Sequence, residues 1–579
     1  MAEQQQQASN QAKVEINSKA LSEELERELI SWVVDDSVSV PDMFVLTFRD
    51  PERTLIERSK AKVGSKVAVS LISEATPGGE KLVSGEITAI EADLDPLGTR
   101  TILRGFDESH RLFRGRVTKT YASVTYADVV KQVAQRAGIE TGKIDSTSTV
   151  HEHVGQGNVS DWQFVRHLAA EVGYEVAVVD GKLEFRNPAQ SDKAPKPGNN
   201  LATQDPLQLV FGSNLLRLHA TVTSAEQVKE VSVRGWDPER KEAVVGQAPV
   251  ETNGAKNSTT PAELAGKFGG DKRWVGTSVP HRTQAQVDVA AKTAATELAG
   301  AYAELDGTAR GNPKLRAGTA VSLGRVGEPF DGRYVLTSTR HAYDADNGYT
   351  TSFTVSGRRE RSLFGLAGGG GGAQDGRHLI DGVVTAVVDD VHDPANLARV
   401  KVQLPWLGQD YVSHWARTVQ PGAGKDRGQV VLPEVGDEVL VAFEQGDLNQ
   451  PYVLGGLHNG VDKPPLGDGL VDGSTGAVKR RGFVSKLNHR LVFLDDESDK
   501  GIALLSGDDK LKLSLNGTTT TIKVTSAGKI EIEGATDVTV KAGANLNVEA
   551  TSKLTLKGAQ VEMTASGPVT VKGAQIKLN

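Results

Sequence analysis

The stretch Ile522-Lys523-Val524-Thr525-Ser526-Ala527-Gly528-Lys529-Ile530-Glu531-Ile532-Glu533-Gly534-Ala535-Thr536-Asp537-Val538-Thr539-Val540 repeats an apolar pair, two residues apart, about every eight positions. The same pattern continues through Leu546/Val548, Leu554/Leu556, Val561/Met563, Val569/Val571 and Ile576/Leu578. Residues two apart project to one side of a strand, so each pair is one apolar patch. Gly534-Ala535, Ala542-Gly543-Ala544, Gly558-Ala559 and Gly573-Ala574 separate the pairs, where a sharp bend needs little side-chain bulk.

Eight residues with two inward side chains build only one wall of a core. Other copies must supply the remaining walls, and the simplest closure is three chains forming a triangular prism. The chain is therefore expected to end in an intertwined trimeric β-helix over residues 516–579. Its core would be Ile522, Val524, Ile530, Ile532, Val538, Val540, Leu546, Val548, Leu554, Leu556, Val561, Met563, Val569 and Val571. Ile576, Leu578 and Asn579 would form a terminal platform on which another protein docks. Lys541, Glu549, Lys553, Lys557 and Lys572 work against open-ended strand aggregation. The turns lack the repeated Asp of calcium-binding solenoids. No His follows His489, so no imidazole metal site is expected in this segment.

A chain of 579 residues has room for three or four domains. Its net charge of -8 argues against a dedicated nucleic-acid binder. With 0 cysteines, neither disulfides nor thiolate metal sites are available. The start Met1-Ala2-Glu3, followed by Gln4 to Gln7, has neither a basic nor an apolar signal region, so synthesis in the cytoplasm without Sec export is expected. No apolar run approaches the ~20 residues that span a bilayer.

Composition divides the chain into six parts. Residues 1–13 read as a disordered tail and 14–364 as a long mixed region. Residues 365–376 read as a linker around the run Gly368 to Gly372. Residues 377–460 read as compact all-β, 461–515 as a connector, and 516–579 as the needle. In the mixed region, helices are expected from Tyr126 to Ala137, ending at Gly138, and after the N-cap Ser160, ending at Gly173; an Ala-rich helix is expected from Ala285 to Leu305. In the all-β part, strands Leu379 to Val388, Ala398 to Leu404, Trp415 to Val419, Val430 to Leu432, Glu438 to Phe443 and Tyr452 to Leu457 fit a small OB-type barrel. The fold class is mainly β.

Arg399-Val400-Lys401-Val402-Gln403-Leu404-Pro405-Trp406, Trp415-Ala416-Arg417, Leu432-Pro433-Glu434-Val435-Gly436-Asp437-Glu438-Val439 and Pro451-Tyr452-Val453-Leu454-Gly455-Gly456-Leu457 resemble the OB segment of the VgrG and phage-tail central spike family. Asn158-Val159-Ser160-Asp161-Trp162-Gln163-Phe164 and His341-Ala342-Tyr343-Asp344-Ala345-Asp346-Asn347-Gly348-Tyr349 are similar to its hub half, in the late-control and extracellular injection-particle form. The resemblance implies a homotrimeric, non-enzymatic spike of a contractile injection system. A hub of two β-barrel-like subdomains per chain would join tube and baseplate proteins. The needle would carry a PAAR-type tip protein, with effectors as possible cargo, and would touch the target membrane transiently. It implies no cofactor and no nucleic acid. It also places the chain in an assembled injection particle, of which the extracellular form is released from the cell.

Chemistry-bearing readings are weaker. Asn459 to Lys500 is too short a gap for an inserted hydrolase, and Asp495-Asp496-Glu497 puts its carboxylates side by side on a turn rather than across a substrate. Gly422-Ala423-Gly424-Lys425 has Val419 and Asp426 where a phosphate loop needs Gly and Ser/Thr. His151-x-His153 lacks further ligands and reads as a surface strand. The alternative of a different class is an OB module binding an oligonucleotide or glycan through Arg399, Lys401, Trp406, Trp415 and Arg417.

Overall fold

A computed structural model describes residues 11–577 apart from 39, 74–75, 97, 202–204, 270–271 and 358–378. The expected linker 365–376, most of the expected tail, and Leu578 and Asn579 lie outside the described residues. The chain divides into two compact units, Met1–Asn459 and Gly460–Asn579.

The backbone of the first unit is one eleven-stranded sheet in which every neighbouring pair is antiparallel. From one edge the strands run Leu215–Val222, Ala303–Arg310, Gly348–Val355, Ser338–Asp344, Leu29–Ser37, Met43–Arg49, Gly98–Phe106, Thr76–Asp95, Lys66–Ser73, Gln11–Ile16 and Lys19–Ala20. Residues 11–13, read from sequence as tail, therefore pair with Lys66–Ser73, because Val14 and Ile16 anchor the strand in the core. Two hydrophobic clusters line the sheet. One gathers Val34, Phe44, Leu46, Phe48, Val69 and Leu103, the other Tyr302, Leu305, Val321, Tyr334 and Phe353. The alternation Phe44, Leu46, Phe48 inward with Met43, Val45, Thr47 less covered is the period-2 signature of a sheet with one packed face.

Two helices cover a third core. Tyr126–Ala137 starts at Thr125, whose side chain accepts from Asp128 N, and stops at Gly138 in the left-handed region. Asp161–Val172 starts in a capping box of Ser160 and Gln163. Their apolar faces meet over Val129, Val130, Val133, Trp162, Val165 and Leu168. The Ala-rich helix is Gln284–Gly300, shorter than expected. Leu305 belongs instead to the strand Ala303–Arg310, where its alternating burial with Ala303 and Gly307 overrides the helical propensity of the alanines.

Five strands, Val383–Asp390, Arg399–Gln403, Ala416–Thr418, Pro451–Gly456 and Glu438–Phe443, close into a barrel in that spatial order. Ala386, Val388, Val400, Val402, Val439, Val441 and Val453 fill the interior. Val430 to Leu432, expected as a strand, is not one: the Gln420 side-chain amide takes both the N–H and the C=O of Val431, at 2.9 and 3.1 Å, and so replaces a strand partner.

The second unit opens with a five-stranded antiparallel meander, Arg480–Val484, Arg490–Asp496, Asp499–Leu505, Leu511–Asn516 and Thr521–Ser526. Most of the meander lies in the stretch read as connector. Beyond it, residues 529–577 form no strand within the chain.

Candidate functional site

The C-terminal segment shows what the octad does in one chain. Among the described residues after Ala527, no backbone–backbone hydrogen bond is made, and the apolar pairs stand in the open: Ile532 is 78% exposed and Val540 67%. At the bend Gly534, an added Cβ would come within 2.6 Å of the Asp537 carbonyl oxygen, so the turn is too tight for a side chain. An extended run with unpaired N–H and C=O groups and a row of exposed Val, Ile and Leu is a template for other chains. Ile522 and Val524 differ from the other pairs, since they sit on the last meander strand, opposite Leu515 and Leu513.

The meander extends that surface. Phe483 faces Leu491, Leu491 faces Leu504, Leu504 faces Leu513 and Leu513 faces Val524, making one apolar row across all five strands. A second row runs Phe493, Ile502, Leu515, Ile522. Directly opposed residues share a face. Leu504 is 47% exposed on this face, while Val492 and Ala503 on the other are buried. A groove of about 430 Å³ crosses the apolar face at Ile502, Leu515 and Ile522.

The acidic run Asp495-Asp496-Glu497 lies at the meander's edge, with Asp495 bonded to Arg481 and Asp496 3.2 Å from Lys479. Both carboxylates are committed to cations, as fits a structural turn. Gly422-Ala423-Gly424-Lys425 forms a tight hairpin with Arg427–Gly428, with no helix following to receive a phosphate.

On the barrel, Lys401 Nζ stands 4.8 Å and Arg399 Cζ 5.9 Å from the Trp415 ring centre, and Arg417 Cζ 5.6 Å from that of Tyr452. Two of the three cations are answered locally. Arg399 reaches Asp393 at 2.7 Å, and Lys401 lies 4.0 Å from Asp390. The Trp406 indole donates to Thr385 O at 3.0 Å. The strip is aromatic and basic in composition, but the carboxylates neutralise much of its field, unlike an open groove for nucleic acid.

The barrel is seated on the strand His151–Val159 and the segment from Thr277 to Arg282 through a dense polar seam. His153 Nε2 donates to Val412 O at 3.1 Å, Gly155 N to Asn449 Oδ1 at 2.9 Å, Arg282 Nη2 to Glu444 Oε2 at 3.1 Å and Gln445 Nε2 to Thr277 O at 3.0 Å. A Cβ at Gly155 would meet the Tyr411 hydroxyl at 2.5 Å, and one at Gly157 the Leu448 side chain at 2.4 Å. The two glycines are therefore the notches that receive the barrel. His151-x-His153 is not a surface strand, as sequence suggests, because the barrel covers it: the His153 ring stacks 5.9 Å from His414, while the His151 ring stacks 4.0 Å from Tyr126. Among the described residues, no group of three or more His, Cys, Asp or Glu is placed to hold a metal.

Residues 384–458 match the family of type VI secretion system/phage-baseplate injector OB domains, and residues 79–344 match the Alg8 N-terminal domain. The closed barrel thus has the class of a baseplate injector OB domain. The chain is 35% identical over 98 residues to the type VI secretion system spike protein VgrG2a of Pseudomonas aeruginosa, covering 15% of this chain and 12% of that one. It is 36% identical over 89 residues to the spike protein VgrG3 of Vibrio cholerae, covering 15% and 9%. The matched stretch therefore spans only a small part of these curated relatives. A chain of the half-lidded Francisella PdpA-VgrG complex shares the fold at a TM-score of 0.54 with 8% identity, over 90% of this chain and 88% of that one. The barrel is thus similar in sequence to the OB domain of these spike proteins, and the chain is similar in fold to the VgrG-complex chain.

Proposed function

We propose that the protein is the structural spike of a contractile injection system and works as a homotrimer, with the first unit joining the tube and baseplate and the C-terminal segment forming the piercing needle. The observation that carries this is the run after Ala527, which exposes its apolar pairs and, among its described residues, makes no backbone–backbone hydrogen bond. Burying one Val or Leu is worth about 1.5–3 kcal/mol, so repetition along the needle gives a large driving force for three chains to intertwine. The role requires stiffness and complementary surfaces rather than a reaction, and the carboxylate run that could suggest hydrolysis is consumed by Lys479 and Arg481.

Three copies of the last layers, Val569/Val571 and Ile576 with Leu578 and Asn579, would present a triangular apolar seat for a small PAAR-type tip protein, to which effectors attach. A pull-down of the cognate tip protein on intact trimers and on trimers lacking residues 574–579 tests this. Loss of capture with the trimer intact supports the seat, and equal capture removes it. Particle assembly places the protein, made in the cytoplasm, at the tip of a released or retained injection machine, where contact with a target membrane is brief.

A further inference from the structure

The seam between the barrel and the strand His151–Val159 contains two imidazoles that no part of the spike reading uses. His153 fixes its Nε2–H on Val412 O at 3.1 Å. Its Nδ1 is buried without a close hydrogen bond beside Asn449, whose Oδ1 receives Gly155 N; Val412 O and Asn449 favour the charged ring, and burial outweighs them. The Tyr411 hydroxyl beside it is also buried without a partner. His414 stacks on His153 at 5.9 Å, and the Tyr411 ring meets His153 edge-on at 6.3 Å.

We propose that this seam is an acid-sensitive latch: His153 and His414, neutral and stacked, hold the barrel against the His151–Val159 strand at neutral pH, and protonation of the pair parts the two surfaces.

The charges around the pair favour this direction. A proton on each ring would set two like charges 5.9 Å apart. Arg399, Lys401 and Arg282 add to the repulsion on His414, and Lys401 also acts on His153. Their own counter-ions, Asp393, Asp390 and Glu444, dilute but do not cancel it. Glu152, 3.7 Å from His414, is the one carboxylate that would welcome the proton among the ion pairs found in the seam, and at 81% exposure it is screened by water. Burial, with these cations, holds both imidazoles down at about 4. An undocked imidazole has its ordinary value near ~6.5. The docked state thus binds fewer protons, so docking is at full strength above ~6.5 and is lost as pH falls toward 4. With two protons involved, the docking constant falls by up to about a hundredfold per pH unit inside that window.

Hydrogen exchange of the full chain tests the latch, because the Gly155 amide donates across the seam to Asn449. Protection factors, corrected for intrinsic exchange, are compared from pH 7.5 down to 4.5 for peptides spanning 151–157 and 408–416. The expected result is a fall of at least about tenfold at the seam by pH 5, with the helix Tyr126–Ala137 and the strand Glu438–Phe443 unchanged. His414→Phe keeps a flat ring that cannot be charged and should halve the steepness of the pH dependence. His153→Gln, whose amide can still donate to Val412 O, gives the same readout should the phenylalanine variant misfold. Protection that stays flat to pH 4.5 in the wild type, or a folded variant as acid-sensitive as the wild type, overturns the proposal.

Discussion

Leu513 and Val524 lie directly opposite each other on neighbouring antiparallel strands, on a sheet face where Leu513 remains 37% and Val524 59% exposed. The two belong to an apolar row five strands wide that the rest of their unit leaves uncovered. If three copies close this face, a charge there is buried without a partner. Leu504→Glu should therefore lower the melting temperature of the assembled protein by several degrees or dissociate it. Lys512→Glu, at a neighbouring position on the opposite face, should leave it within experimental error. Thermal unfolding of both variants checks the contrast.

Within the needle the same logic distinguishes adjacent residues. Val540→Asp would place three carboxylates near one axis, whereas Thr539→Asp points away from it. The first should be strongly destabilising and the second nearly neutral. Equal melting temperatures would show that the strand faces are inverted.

The barrel depends on one acidic turn residue. Asp393 accepts the N–H groups of Ala395 and Leu397 at 3.1 and 2.8 Å, and its side chain is 4% exposed beneath Arg399. The Arg399 guanidinium and these amides hold the carboxyl well below the usual carboxylate range. Asp393→Ala should cost the barrel about 2–4 kcal/mol by stranding the guanidinium and three amides, that of Arg399 included. Urea unfolding followed at the barrel tryptophans measures it.

Asp107 predicts a pH dependence of opposite sign to the seam. Burial pushes its carboxyl up to about 7, against the hydrogen bonds from Ser109, and burial raises Asp42 beside it as well. A folded value above the unfolded one means that folding takes up a proton. The stabilisation is fully present below the unfolded value of 3.8 and is lost as pH rises through about 7. Asp107→Asn keeps an acceptor for Ser109 N without the charge. Its stability relative to wild type should rise by a few kcal/mol, as an order of magnitude, between pH 5 and pH 8. A constant difference over that range would contradict the assignment.

Local signals carried much of this architecture. Ser160 with Gln163, and Gly138 and Gly173 as left-handed stops, place two helices to the residue. Five of the six expected OB strands were legible, to within a few residues at their ends, because turn clusters separate short β-branched runs. What escaped was set by partners far away in sequence. Gly155 and Gly157 look like loop glycines until Tyr411 and Leu448 arrive against them. The meander face is written in Phe483, Leu491, Phe493, Ile502 and Leu504 at alternate positions, but charged and glycine-rich turns between the short strands hide the period. Leu305 shows the reverse case, a residue whose alanine-rich neighbourhood suggests helix while its burial requires a strand.

No single chain can cover the apolar octad, so the folded needle requires three. Multi-angle light scattering of the intact protein at micromolar concentration tests it most directly. The expected result is the mass of three chains, with no monomer on dilution; a stable, soluble mass of one chain would rule the trimeric needle out.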